Sequence, residues 1–158
     1  MSGFAKVITV SDRAFAGTRD DRSGPLGAEL LTEAGWSTDV VVVPDEAVQI
    51  ADALRTAVSD GARMVITTGG TGLSPRDVTP EATAPLLDRL IPGIAEEIRR
   101  VGAAHLPGAM LSRGIAGTFG GALVVNLAGS PGAVRDGIPV VLSIADHVLG
   151  QLDGGDHA

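Results

Sequence analysis

Cysteine and tyrosine are absent from this sequence, lysine occurs once, at Lys6, and the aromatic residues are Phe4, Phe15, Trp36 and Phe119 alone. Without cysteine there is no thiol nucleophile, no disulfide, no iron–sulfur cluster and no thiolate-ligated zinc. The same absence fits a reducing compartment, and a cytoplasmic location is expected. Four aromatic side chains offer no platform on which successive bases could stack. Positive charge is also scarce: 12 Lys and Arg stand against 19 Asp and Glu, a net charge of -7. No basic stripe is available to release phosphate counterions, so nucleic acid is not an expected partner. The stretch from Gly114 to Val134 carries no charge, yet its glycines, Pro131 and Asn126 argue against a membrane span. No basic N-terminal region leads into a long apolar run, so no signal peptide is expected either.

What remains is an ordinary globular composition, 44% hydrophobic and 20% charged over 158 residues, long enough for one well-formed core. Residues 1–158 read as one domain with a frayed tail from about 153. Apolar runs alternate with helical spacings. Lys6 to Val10 and Thr38 to Val43 read as strands, and Met64 to Thr68 as a third. Between them, Ser23-Gly24-Pro25 opens a helix carrying Leu26, Leu30 and Leu31, and Asp45 caps one carrying Val48, Ala51, Leu54, Ala57 and Val58. Pro80 to Leu90 and Pro92 to Gly102 read as two helices, each opening on a proline. Ile115 to Thr118 and Ala122 to Leu127 suggest a hairpin, and a C-terminal helical region follows in which Pro139 breaks or restarts the helix before Val140. The alternation predicts an α/β fold: three layers, α/β/α, around a largely parallel, mixed sheet.

The most informative stretch is Thr67-Thr68-Gly69-Gly70-Thr71-Gly72-Leu73-Ser74-Pro75-Arg76-Asp77-Val78-Thr79-Pro80-Glu81. It leaves a buried strand through small residues that let backbone N–H groups approach an anion, then supplies a cation, a carboxylate and the start of a helix. It is neither of two familiar phosphate motifs. A Walker loop needs Gly-Lys, and a dinucleotide loop needs glycine where Pro75 stands. In parallel sheets ligands lie beyond the carboxyl ends of the strands. Ser11-Asp12, Asp45 and the glycine loop all fall on that edge.

Asp45 taken alone reads as a plain N-cap; Asp77 has less excuse, because Thr79 is the better-placed cap for the helix that follows. Together the two suit Mg²⁺, which favours carboxylate, water and phosphate oxygens. Thr68, Gly69, Gly70, Thr71, Gly72 and Arg76, with Ser11 and Asp12, are candidates for a nucleotide's phosphates. Ser130 lacks the spacing of a nucleophile elbow, so direct transfer between two bound substrates is the simpler chemistry. A later group, Ser112-Arg113 with Asn126 to Gly132, reads either as a second anion site or as a satisfied turn with a surface arginine. His105 and His147 are isolated and read as structural.

These motifs jointly resemble the molybdopterin adenylyltransferase family of molybdenum-cofactor biosynthesis, the type that includes the gephyrin G domain. The resemblance rests on Thr67 to Gly72, Arg76 to Thr83, Ser11-Asp12-Arg13, Asp45-Glu46, Ser112 to Gly117 and Asn126 to Pro131. It implies a homotrimer that uses Mg-ATP to adenylylate molybdopterin, with Asp45 and Asp77 as the essential, metal-holding carboxylates. It further implies that Ser112, Arg113, Ser130 and Pro131 lie on the pterin side, and that a molybdenum-insertion protein takes the product. A non-catalytic molybdopterin-binding paralogue is the alternative. Ala128 departs from the family, which more often has proline there.

Overall fold

A computed structural model describes residues 2–156. Its centre is a six-stranded sheet in the order β2-β1-β3-β6-β5-β4, formed by β1 (Phe4–Val10), β2 (Ser37–Val43), β3 (Met64–Thr68), β4 (Arg89–Leu90), β5 (Ala116–Phe119) and β6 (Ala122–Leu127). β2, β1, β3 and β6 run parallel side by side; β5 is antiparallel to both of its neighbours. The helices are α1 (Asp12–Phe15), α2 (Ser23–Glu33), α3 (Ala47–Ser59), α4 (Thr79–Thr83), α5 (Pro92–Ala103) and α6 (Pro131–Leu152).

Alternation along the strands sorts the core into two halves, because successive strand side chains point to opposite faces. Val7, Met64, Ile66, Leu123 and Val125 pack with Leu31 of α2, Ile94 of α5 and Val134, Ile138, Val141 and Leu149 of α6. Ile8, Val10, Val65 and Val124 pack with Ile50, Leu54 and Ala57 of α3 and Ala82 of α4. The three expected layers are therefore present, and the hairpin forms as read. Among the described residues no helix is long and apolar enough to cross a membrane.

Three local expectations need correction. The helix expected over Pro80 to Leu90 ends at Thr83, continues as a 3-10 turn over Ala84–Leu86 and becomes β4. Pro85 has no N–H for the helical ladder, and the chain beyond it pairs with the hairpin: Asp88 N donates to Thr118 O at 2.7 Å and Ile91 N to Ala116 O at 2.8 Å. Pro139 does not break α6, which is continuous for 22 residues. It sits on the exposed side, where water can satisfy a freed carbonyl, while the opposite stripe of Val134, Ile138, Val141, Ala145 and Leu149 stays packed. Asp45, finally, does not cap α3. The cap position is Glu46, which makes no side-chain capping bond, and the Asp45 carboxylate turns towards the strand-end loops.

The C-terminal tail falls partly outside the described residues. α6 ends at Leu152, and the Asp153 carboxylate accepts from Arg63 at 2.8 Å. His157 and Ala158 are not described.

Candidate active site

The four neighbouring parallel strands all end on one edge, so the loops after Val10, Val43, Thr68 and Leu127 stand in a row. Their backbones interlock. Ser11 N donates to Val43 O and Gly69 N to Leu127 O, each at 2.9 Å. Gly69 has φ +99°, and a Cβ there would collide with the carbonyl oxygen of Val10. Gly129 approaches Gly69 so closely that its Cβ would lie 3.1 Å from the Gly69 Cα. Small residues at 69 and 129 are thus what allow the third loop to close on the first and the fourth on the third.

Thr79 locks the glycine loop from behind. Its hydroxyl donates to Gly69 O at 2.9 Å and its amide to Gly70 O at 3.0 Å, so it serves the loop and leaves the capping position to Val78. Among the described residues, the amides of Gly70, Thr71 and Gly72 donate to no protein acceptor. Three unclaimed N–H groups in succession, beside a Gly70 with φ +69°, form a concavity suited to phosphate oxygens. Beneath them lies a fully paired polar layer. The Asn126 amide nitrogen donates to Thr67 Oγ1 at 2.9 Å and Thr83 Oγ1 at 3.2 Å, and its oxygen accepts from Ile115 N at 3.2 Å. Buried polar groups satisfied in this way hold one arrangement of loop, hairpin and α4.

The carboxylates meet in a reciprocal clasp. Asp12 N donates to Asp45 Oδ2 at 2.8 Å, and Asp45 N donates to Asp12 Oδ1 at 2.9 Å. Arg76 closes on the same Asp12, from Nε to Oδ2 at 3.0 Å and from Nη2 to Oδ1 at 2.9 Å, and reaches Glu46 at 3.0 Å. Asp77 Oδ2 accepts from Ser74 N at 3.0 Å. Burial, reinforced by the charges of Asp12 and Asp77, pushes the Asp45 carboxyl above the ordinary aspartate value of 3.8 against the opposing bond from the Asp12 amide. Asp12 is held below 3.8 by its bonds from Arg76 and from the Asp45 amide.

These opposite shifts give opposite pH dependences. Stability contributed by Asp12 is present above 3.8 and disappears as pH falls through its depressed folded value. Ionised Asp45 instead costs stability at high pH, and that cost is relieved as pH falls through its raised folded value towards 3.8. A carboxyl-carbon NMR titration should therefore find Asp45 taking up its proton at higher pH than Asp12. The reverse order would contradict the clasp.

Two cavities adjoin this edge. The first, of about 390 Å³, includes Thr9, Ser11, Asp12, Asp45, Thr68, Gly70 and Asp77 in its wall. The second, of about 460 Å³, includes Gly69 to Gly72, Asp77, Ser112 and Ala128 to Pro131. They share Arg19, Gly70, Asp77, Gly129 and Pro131, so the glycine loop and Asp77 stand between them. Nearly all the expected site residues are brought together here. Their side chains are not all turned to the space: Thr68 Oγ1 pairs with Ser23 Oγ at 2.9 Å in the interior, and Ser11 Oγ accepts from Ala14 N at 3.1 Å. Ser130 Oγ caps α6 through Ala133 N at 3.1 Å, and Ser112 Oγ donates to Thr71 Oγ1 at 3.2 Å.

The two arginines singled out in the sequence have other engagements. Arg76 belongs to neither cavity wall. Arg113 is bound to the glycine loop: Nε donates to Gly72 O at 2.8 Å, Nη2 to Asp77 O at 2.9 Å, and Nη1 pairs with Glu81. Of the cations that do line the first cavity, sequence reasoning noted Arg13 only within the Ser11-Asp12-Arg13 motif and overlooked Arg19 and Arg22. It also overlooked Asp21, which accepts from Thr9 Oγ1 at 2.7 Å and from Gly24 N at 3.0 Å and so anchors the start of α2. The legible signal was a polar, charge-dense segment following a strand on the ligand edge.

Both candidate metal-holding carboxylates lean on glycines of one loop. Asp45 Oδ1 is 3.3 Å from where a Gly70 Cβ would stand, and Asp77 Oδ2 is 2.8 Å from a Gly72 Cβ. Among the described residues no group of three or more acidic or His side chains could cage a metal. Two hard oxygen donors beside a phosphate-sized cradle still fit Mg²⁺, which keeps waters and takes phosphate oxygens as ligands.

Comparison with known proteins agrees with this geometry. Residues 6–147 match the family model described as a probable molybdopterin binding domain. The chain is 38% identical over 151 residues to the molybdopterin adenylyltransferase of Pyrococcus furiosus, covering 90% of this chain and 87% of that protein. It is 41% identical to a molybdenum cofactor biosynthesis bifunctional protein of Synechococcus elongatus, covering 98% of this chain but 49% of that one, so it spans about half the length of such bifunctional relatives. A molybdopterin biosynthesis protein from Mycobacterium abscessus superposes with a TM-score of 0.90 at 51% identity, over 96% of this chain and 97% of that one. With its matched domain running through every loop of the site, the chain belongs to the molybdopterin-binding domain family of molybdenum-cofactor biosynthesis proteins.

Proposed function

We propose that this chain is a molybdopterin adenylyltransferase, transferring AMP from Mg-ATP to the terminal phosphate of molybdopterin with release of pyrophosphate. The observation that carries this reading is the placement of Asp45 and Asp77 against a glycine loop with three unclaimed amides, where two cavities meet. The first cavity takes the nucleotide phosphates, bounded by Ser11, Asp12, Thr68 and Gly70, with Arg13, Arg19 and Arg22 offsetting negative charge, while Gly69, Thr71 and Gly72 of the same loop line the second. The second takes the pterin and its phosphate beside Ser112, Ser130 and Pro131, and Arg113 holds the wall between them in shape. The names borne by the relatives in Pyrococcus furiosus and Synechococcus elongatus support the same pathway.

In the transfer, an oxygen of the pterin phosphate forms a bond to the α-phosphorus of ATP. The bond from that phosphorus to the bridging oxygen of the β-phosphate breaks, and its electron pair leaves with pyrophosphate. The attacking oxygen is already ionised, so no general base is required, and neither cavity wall contains a histidine. The protein's work is alignment of two anions and stabilisation of the charge between them. Mg²⁺ held by Asp45, Asp77 and phosphate oxygens would neutralise charge on the α-phosphate and the departing pyrophosphate. A homotrimeric assembly and delivery of the product to a molybdenum-insertion protein complete the proposal.

The test is incubation of the purified chain with molybdopterin, ATP and Mg²⁺. Adenylylated pterin and pyrophosphate in equal amounts are expected. Tight pterin binding without product would identify the non-catalytic paralogue instead. Failure to bind either substrate would remove the reading altogether.

A further inference from the structure

We propose that Arg76 is a positioning residue: it fixes Asp12, and through Asp12 the Asp45 carboxylate, and it is not a ligand of the nucleotide phosphates. The inference rests on the adenylyl-transfer reading for the role of Asp45, but its geometric half stands on hydrogen bonds alone.

Arginine in a phosphate site usually presents its fork to the anion. Here Nε and Nη2 are already closed on the two oxygens of Asp12, at 3.0 and 2.9 Å, and Nη2 is shared with Glu46 at 3.0 Å. Such a two-point grip sets the plane and direction of the carboxylate, which a point charge does not. Among the described residues, Asp12 alone couples to Asp45 in both directions, accepting from its amide and donating to its carboxylate. The Asp12 Oδ1 that receives Arg76 also receives the Asp45 amide. Fixing that oxygen therefore fixes the turn after β2, on which Asp45 sits.

The cavities argue the same way. Asp12 and Asp45 are in the wall of the first, whereas Arg76 is in neither. Arg19 is in both, and no ion pair engages it among the described residues. A phosphate at the junction would thus meet Arg19, while Arg76 stands behind the carboxylates and braces them. The side chains of Arg76, Asp12 and Glu46 are about half exposed, so the trio lends little stability; its contribution is direction.

The experiment compares the parent chain with R76A, R76K and R19A by three measurements. Amide hydrogen exchange, without substrates, reads the clasp at Asp12 and Asp45. Calorimetric titration reads affinity for ATP, ADP and AMP with and without Mg²⁺. Single-turnover transfer reads the chemistry. In R76A, exchange at both amides should quicken about tenfold or more, transfer should slow about tenfold or more, and ATP affinity should stay within about threefold. R76K, which restores charge without the fork, should fall between R76A and the parent in exchange and transfer. R19A should do the converse, losing affinity in proportion to the number of phosphates with the two amides unchanged. Unaltered exchange in R76A, or an affinity loss in R76A that grows from AMP to ATP, would overturn the proposal. A parent chain that makes no adenylylated pterin, with the exchange results as expected, would instead remove the transfer reading and leave the brace intact.

Discussion

Asp45→Asn and Asp77→Asn should each slow adenylyl transfer by two orders of magnitude or more while leaving pterin affinity within a few-fold of the parent. Asparagine is the informative substitution because its side-chain oxygen can still accept from the Asp12 or Ser74 amide, so the hydrogen bonds at 2.8 and 3.0 Å need not be lost. What disappears is the negative charge that would hold Mg²⁺ on the phosphates. Each factor of ten corresponds to about 1.4 kcal/mol of transition-state stabilisation. Melting temperature separates this from damage to the fold. Asp45 does not cap α3, and its ionised form already carries a burial cost, so Asp45→Asn should fold at least as stably as the parent at neutral pH. Variants that fold, bind pterin and still transfer at the parental rate would show that neither carboxylate acts in the reaction. Transfer lost together with pterin binding would point to collapse of the loop edge.

Gly69→Ala should be the most destabilising single methyl that can be added to the ligand edge. The position combines a φ of +99°, which side-chain-bearing residues rarely adopt, with a collision against the backbone oxygen of Val10, which cannot rotate away. Backbone strain of roughly 1–3 kcal/mol and overpacking of about the same size should act together. Gly17→Ala is the control. It has φ +77° but open space around it, so it meets only the conformational part. Thermal melts should place Gly69→Ala well below Gly17→Ala, at about 2–4 °C for each kcal/mol of difference in a chain of this size. Equal melting temperatures would mean that the close approach of the third loop to the first is not rigid. Phosphate binding should fail in Gly69→Ala even at temperatures where it remains folded, because Gly70 to Gly72 hang from the displaced carbonyl that Thr79 grips.

Much of this arrangement was legible in the sequence, and the reasons differ by element. The β-branched run of β2 and the apolar run of β3 each fit one secondary structure, and their bounds came out within a residue of those read. The ligand edge was legible because parallel strands put all their carboxyl ends together. β4 was not, since two residues carry no periodicity and its pairing comes from Thr118 and Ala116, about 30 residues further along the chain. Pro139 misled for a related reason: a proline breaks an isolated helix, whereas α6 is held by its packed face. The directions of Arg76 and Arg113 were equally hidden. Sequence order placed them beside the phosphate loop, but whether an arginine faces a ligand or a neighbouring carboxylate is decided by Asp12 at the start of α1, Glu46 at the cap of α3 and Glu81 in α4.

The sheet order has a consequence for how the molecule comes into being. β1, β2 and β3 can pair as soon as the first 68 residues exist, yet the loop they carry is sealed only when β6 joins β3 and Gly129 settles against Gly69. Between those strands the chain must set aside α4, β4, α5 and β5, so the closing contact becomes available only well after the first three strands have emerged from the ribosome. A nascent chain shorter than about Pro131 has its carboxylates and its glycines but nothing on the far side to hold a substrate between them. Binding competence should therefore arrive abruptly, once β6 and Gly129 are in place, with a shorter nascent chain unable to hold either proposed substrate.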